Sequence, residues 1–270
     1  MVNRGTVSLS EVKTVVLDEA DEMLRMGFQE QVEEVMTHIR HQKQVLLFSA
    51  TLPTWVRETA ARYCKEPVIV DKVTGVENTT PSTISHMTLA ASRMLPETVQ
   101  MLRDVFEAHN VQRAIVFTKT KRDASAFSEL LNRSGVQARE LHGDVPQMER
   151  DRTMASFRAG KCKALVATDV AARGLDISNV DMVVNVGFPS DPAFYVHRSG
   201  RTGRAGKSGI SLLLYMPDER SKIHSLTKEI GAQFTQFPPL NGVRHTHCAA
   251  PRLFFPFHPS LFSLRSFVFL

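Results

Sequence analysis

Short apolar runs alternate with amphipathic stretches along most of this chain. Thr14-Val15-Val16-Leu17 and residues 44–48 read as strands, with helices expected over 29–40 and 55–64 and a further short strand at 68–70. Residues 74–85, TGVENTTPSTIS, break the rhythm with Thr, Ser, Gly and Pro and predict a linker. The alternation then resumes. Leu95, Val99, Leu102 and Phe106 recur at helical spacing before an apolar strand at 114–117. Helices follow over 122–133, over 147–159 (closed by Gly160) and near 193–197, with strands at 136–141, 164–168, 182–186 and 210–215. Met148, Met154 and Phe157 are expected on the core face of the 147–159 helix, and Trp55 is expected to pack. Continuous apolar strands alternating with helices predict an α/β fold with parallel sheets covered on both faces. Ligands to such sheets bind beyond the C-terminal ends of the strands.

Composition changes this picture little. The 270 residues are 43% apolar and 23% charged, ordinary for one large or two small globular domains. The formal charge of +5 suggests a polyanionic partner, but Arg244, Arg252 and Arg265 contribute three of those charges in a segment, 243–270, that holds no acid. Basicity therefore has to be sought locally. Cys64, Cys162 and Cys248 have no metal-ligand spacing and predict a reducing compartment without disulfides. The tail is different in kind: the last acid is Glu229, and six of the 16 Phe follow residue 252. It reads as an abnormal terminus or as a membrane- or partner-binding tail, though Pro256, His258, Pro259 and Arg265 leave no membrane-spanning length. His245-Thr246-His247-Cys248 lacks a fourth ligand in register for a metal.

Three segments carry the unusual chemistry, two of them at strand ends. Asp18-Glu19-Ala20-Asp21 follows the first strand, where paired carboxylates can hold Mg²⁺ and orient a water, or merely favour a helix N-terminus. Asp169-Val170-Ala171-Ala172-Arg173-Gly174-Leu175-Asp176 offers acids, an Arg and a Gly for a ribose and a phosphate backbone. His197-Arg198-Ser199-Gly200-Arg201-Thr202-Gly203-Arg204-Ala205-Gly206-Lys207 suits phosphate oxygens, or is a solvated basic loop. Residues 201–208 (RTGRAGKS) approach the phosphate-loop pattern G-x-x-x-x-G-K-[ST], but Arg201 replaces its first Gly and the run lies between a helix and a strand. The loop's mechanism requires the reverse order.

VVLDEADEML, FSAT, AIVFTKTK, LHGD, ATDVAARGLD and HRSGRTGRAG occur in this order over residues 1–236. Together they resemble the DEAD-box ATP-dependent RNA helicases, and FSATLPTWV, LHGDVPQMER and FYVHRSGRTGRAGKSG look most like the nucleolar RNA helicase 2 (Gu) group and its plastid relatives. The resemblance implies two RecA-like domains of the P-loop NTPase superfamily, one incomplete and one complete. Residues 1–73 match the end of domain 1, 74–91 the interdomain linker and 92–236 domain 2, with 237–270 an atypical tail. It also implies an ATP hydrolase that couples RNA binding to duplex opening with ATP and Mg²⁺, in ribosome biogenesis or RNA processing and in a nuclear, nucleolar or plastid setting. No membrane role is expected.

By the same resemblance, Asp18 and Glu19 serve Mg²⁺ and the hydrolytic water, while Asp21 bonds Ser49, Thr51 and His197 to couple the site to domain closure. Asp176, with Gly174, meets the nucleotide ribose, and Arg201 and Arg204 act as arginine fingers. Thr120, Gly143, Gln147, Arg150, Thr168 and Arg173 grip the RNA backbone with little reading of bases. The family's phosphate loop and the segments before the DEAD strand have no match in these residues. The resemblance thus describes an N-terminally truncated helicase, and a catalytically inactive RNA-binding fragment is the alternative.

Overall fold

Aliphatic and β-branched runs supply the strands because their side chains suit a pleated surface buried on one or both faces. A computed structural model describes residues 7–49, 52, 54–70, 80–172, 177, 180–203 and 206–237, and the backbone of 267–269. The chain forms two units, Met1–Glu77 with Ser263–Leu270, and Asn78–Phe262.

In the first unit, β1 (Thr14–Leu17) leads into α1 (Ala20–Arg25) and α2 (Gln29–His38), and β2 (Gln44–Ser49) into α3 (Thr54–Tyr63) and β3 (Ile69–Val70). β1 and β2 run parallel, with Thr14 opposite Gln44 and Leu17 opposite Leu47. Leu17, Val45, Leu47, Trp55, Val56 and Ala60 make the core, so Trp55 packs. Val16 and Ile69 remain exposed.

The second unit begins with β4 (Ile84–Ala90) and α4 (Leu95–Ala108). The alternation continues through β5 (Ala114–Thr118), α5 (Lys121–Arg133), β6 (Ala138–Leu141), α6 (Gln147–Arg158), β7 (Ala164–Thr168) and α7 (Asp169–Ala172). It closes with β8 (Met182–Val186), α8 (Pro192–Ser199), β9 (Gly209–Tyr215), a 3₁₀ turn at Pro217–Glu219, α9 (Arg220–Ile230) and β10 (Phe234–Gln236). The sheet order is β10-β4-β9-β8-β5-β7-β6, all parallel. The two-residue period sorts each strand between two cores. Val116, Val166, Val184 and Leu212 pack with Val99, Phe106, Phe127 and Leu131 of α4 and α5. Ile115, Phe117, Leu165 and Val183 pack with Met154 and Phe157 of α6.

The structure departs from the sequence expectation in several places. Residues 84–90, expected inside the linker of 74–91, form a strand flanked on both sides. His86 and Thr88 are 6% and 3% exposed, so polar side chains occupy places where the pattern favours apolar ones. Met148 is 62% exposed, because at 3.6 residues per turn it lies on the face of α6 opposite Phe157. The tail is atypical in sequence, yet the backbone of β11 (Phe267–Phe269) runs antiparallel between β2 and β3. Among the described residues no helix is long and apolar enough to cross a membrane.

Candidate functional site

The acidic cluster stands at the C-terminal end of β1. Asp18 and Glu19 are exposed, whereas Asp21 is 5% exposed. Glu19 occupies the N-cap position of α1 at φ 51° and ψ 47°, the left-handed region, and its side chain caps no amide. A non-glycine residue held there costs of order 1–3 kcal/mol and marks a position the surroundings impose. The helix-start reading explains the backbone, since the Glu19 carbonyl accepts from Glu22 and Met23, but it assigns no task to the Glu19 carboxylate. The Asp18 carboxylate accepts the Glu19 N–H at 2.9 Å. The Asp21 N–H donates to Ser49 Oγ at 3.2 Å, tying the cluster to the end of β2. The expected partner Thr51 lies outside the described residues, and His197 belongs to the second unit, on α8.

Of the residues expected to meet RNA, Thr120, Gly143, Gln147, Arg150 and Thr168 gather at one edge of the second sheet, over the C-terminal ends of β5, β6 and β7. Thr120 caps α5, accepting the Asp123 N–H at 3.1 Å and donating to Asp123 Oδ2 at 2.8 Å. Gly143 follows β6, and a Cβ placed on it would meet nothing within 4 Å. Asp144 beside it is paired with Lys121 at 2.7 Å, which holds its carboxyl below the usual range. Gln147 opens α6, and Arg150 Nη1 donates to Gln147 Oε1 at 3.3 Å while Nη2 donates to the Ala171 carbonyl at 3.2 Å. Arg150 therefore joins α6 to the end of α7, the segment that leads to Arg173. Thr168 ends β7 opposite Thr118 of β5. Arg173, Gly174, Asp176 and Arg204 lie outside the described residues.

Behind this edge lies a buried polar network. Arg198, 5% exposed, grips Asp169 through Nε at 2.6 Å and Nη2 at 2.7 Å, and its Nη1 donates to Asn185 Oδ1 at 3.1 Å. Its guanidinium also sits 5.1 Å from the Phe117 ring centre. A buried guanidinium needs a carboxylate and saturated hydrogen bonds, and this fork supplies them. On the same helix, the Tyr195 hydroxyl meets His86 Nδ1 at 2.8 Å and accepts from Ser211 at 3.0 Å. His86 Nε2 meets Thr80 Oγ1 at 2.8 Å. Burial pushes His86 down to about 4 and raises the Tyr195 phenol. Among the described residues, no group of three or more His, Cys, Asp or Glu side chains could hold a metal alone.

Residues 1–59 match the DEAD/DEAH box helicase family, and residues 97–206 match the helicase conserved C-terminal domain. Rice (Oryza sativa subsp. japonica) DEAD-box ATP-dependent RNA helicase 53 is 42% identical over 241 residues, 89% of this chain and 40% of that protein. The Saccharomyces cerevisiae Dbp5 structure bound to RNA and ADP BeF3 is 30% identical with a TM-score of 0.74, covering 87% of this chain and 62% of that one. The isolated C-terminal domain of the DEAD-box protein Dbp5 is 31% identical with a TM-score of 0.51, covering 57% of this chain and 89% of that structure.

The chain belongs to the DEAD-box helicase family. It has the RecA-like α/β architecture of that family, and it spans about two-fifths of the length of the curated relatives it matches. In this DEAD-box chain the sequence reading passed over Asn185 and placed Asp169 and Arg198 only in ligand-facing loops, whereas the three bond to one another and anchor α8. The available signal was an Arg inside a helix that otherwise packs, two residues before a Gly. His86 and Tyr195 gave no comparable signal, because their pairing joins β4 to α8 across more than a hundred residues.

Proposed function

We propose that this chain supplies the water-activating acids, the arginine fingers and the RNA-backbone grip of an ATP-dependent RNA helicase, coupling ATP hydrolysis to local duplex opening. The observation that carries the reading is Glu19, an exposed carboxylate at a strand end, held in a left-handed conformation with no structural task for its side chain. Asp18 offers a hard oxygen beside it. Mg²⁺ keeps waters and substrate phosphates among its ligands, so one exposed carboxylate at a strand end can serve it beside a nucleotide. The residues present therefore fit a nucleotide-borne Mg²⁺, with Asp18 as its protein ligand through water. When bound, that ion supplies charge neutralisation at the β- and γ-phosphates.

Within this reading, Glu19 orients the attacking water and takes its proton, a contribution of roughly 10²–10⁴ in rate. The Asp21 N–H, bonded to Ser49, fixes the turn that carries Glu19. Arg201 and Arg204 stabilise developing phosphoryl charge, worth ~10³–10⁵. Asp176 and Gly174 meet the ribose. Thr120, Gly143, Gln147, Arg150, Thr168 and Arg173 hold the RNA sugar–phosphate chain, which favours shape and 2′-hydroxyls over base sequence. The wording of FSATLPTWV and FYVHRSGRTGRAGKSG supports assignment to the nucleolar RNA helicase 2 (Gu) and plastid group, and with it a role in ribosome biogenesis.

RNA-stimulated ATP hydrolysis by the purified chain tests the proposal. Glu19→Gln is expected to remove turnover by at least ~10²-fold while retaining RNA affinity. A second reading, RNA binding without hydrolysis, is favoured by one fact: no G-x-x-x-x-G-K-[ST] run occurs in the 270 residues. RNA binding by the unaltered chain with no turnover would select it.

A further inference from the structure

The loop that carries Arg201 is held from a direction that the helicase reading does not use. Thr83, immediately before β4, donates its hydroxyl to the Gly203 carbonyl at 2.7 Å, and its own carbonyl accepts the Gly209 N–H at 3.0 Å. Ile84 lies beneath the same point: Gly203 has φ +67°, and a Cβ there would fall 2.6 Å from Ile84 Cγ1. From the other side, Thr202 donates to the Val180 carbonyl, and its Oγ1 fills the space where a Cβ on Gly209 would lie, 2.1 Å away. The dipeptide Thr202-Gly203 is thus pinned between the segment that enters the second unit and the starts of β8 and β9. Arg201 precedes this dipeptide and Arg204 follows it. The same incoming segment reaches α8 a second time, through Thr80, His86 and Tyr195.

We propose that Thr83 is a positioning residue for the arginine loop, its hydroxyl transmitting the setting of the incoming chain to the backbone between Arg201 and Arg204. The hydroxyl contributes direction, since a Thr–carbonyl bond of 2.7 Å fixes the orientation of one peptide plane. That plane joins Gly203 to Arg204. The inference rests on the proposed roles of Arg201 and Arg204.

The test compares Thr83→Val, which keeps shape and removes the donor, with Thr83→Ser, which keeps the donor. Amide hydrogen exchange of the full chain is read at residues 200–206. Thr83→Val is expected to accelerate it there by roughly fivefold, the equivalent of one neutral hydrogen bond, and Thr83→Ser to restore it. In RNA-stimulated turnover, Thr83→Val is expected to lower kcat with KM for ATP unchanged. The loss should vanish in an Arg201→Ala background, because a residue acting through Arg201 has nothing left to position. Unchanged exchange at 200–206 in Thr83→Val overturns the proposal. So does a kcat loss of the same size with and without Arg201. If Arg201→Ala leaves turnover intact, the finger reading fails instead. If the unaltered chain shows no turnover, the exchange arms alone decide the positioning role.

Discussion

Acid should weaken the second unit through His86. This ring is buried between Tyr195 and Phe234, with ring centres 5.6 and 5.7 Å away, and both of its nitrogens are occupied by hydroxyls. Burial lowers its pKa from 6.5 to about 4. Above pH 6.5 the ring is neutral in both folded and unfolded chains, and pH has no leverage through it. Between 6.5 and about 4 the unfolded chain takes up a proton that the folded chain refuses, so stability falls as pH falls. Below about 4 both states are protonated and the loss is complete. At about 1.4 kcal/mol per pH unit, the full loss is about 3 kcal/mol, most of it incurred by pH 4.5. Urea unfolding followed by far-UV circular dichroism between pH 7 and 4.5 measures this. The single Trp, Trp55, reports the first unit separately by fluorescence. His86→Gln keeps a hydrogen-bonding side chain without a titrating one, so the stability gap between the two proteins should close or invert with acid. Parallel pH profiles for the two proteins would refute the reasoning.

Asp169→Asn leaves the Arg198 guanidinium buried without its counter-charge and is expected to destabilise the second unit by roughly 3 kcal/mol, read as a lower urea midpoint at constant m. The Asp169→Leu/Arg198→Met pair should cost less than Asp169→Asn alone. Two glycines should separate packing from binding. Gly209→Ala places a Cβ 2.5 Å from the Gly203 nitrogen and should cost about 1–3 kcal/mol. Gly143→Ala meets open space and should leave stability within about 0.5 kcal/mol while weakening RNA binding in a filter or anisotropy assay.

What the sequence made legible was what depends on local pattern. The fully buried strands AIVFT, ALVAT and MVVNV announce themselves as apolar runs, because a parallel strand packed on both faces has no polar side to dilute the signal. β4 did not, because Ile84-Ser85-His86-Met87-Thr88 mixes polar residues into a strand whose His86 finds partners only in the folded chain. Met148 misled because it is apolar but out of phase: six and nine residues before Met154 and Phe157, it faces away from them around the helix. At the site, Asp18, Glu19 and Asp21 were identifiable from composition at a strand end. The left-handed backbone at Glu19 was not, since no Gly or Asn marks it. Arg198 was visible only as one base among several, and its bidentate grip on Asp169 reaches from the helix after β8 to the end of β7, across the intervening β5.

The place of β10 sets the address of whatever follows it. It lies at one border of the seven-stranded sheet, parallel to β4, with the Phe237 N–H donating to the Thr88 carbonyl. Residue 237 therefore leaves on the same side of the sheet as the loops after β5, β6 and β7, six strand spacings or roughly 29 Å across from β6. A segment attached there starts level with the proposed RNA path and to one side of it. To touch a strand held over β6 it would need to reach about nine extended residues laterally. An extension of only about three residues is confined to the ground over β4 and β9.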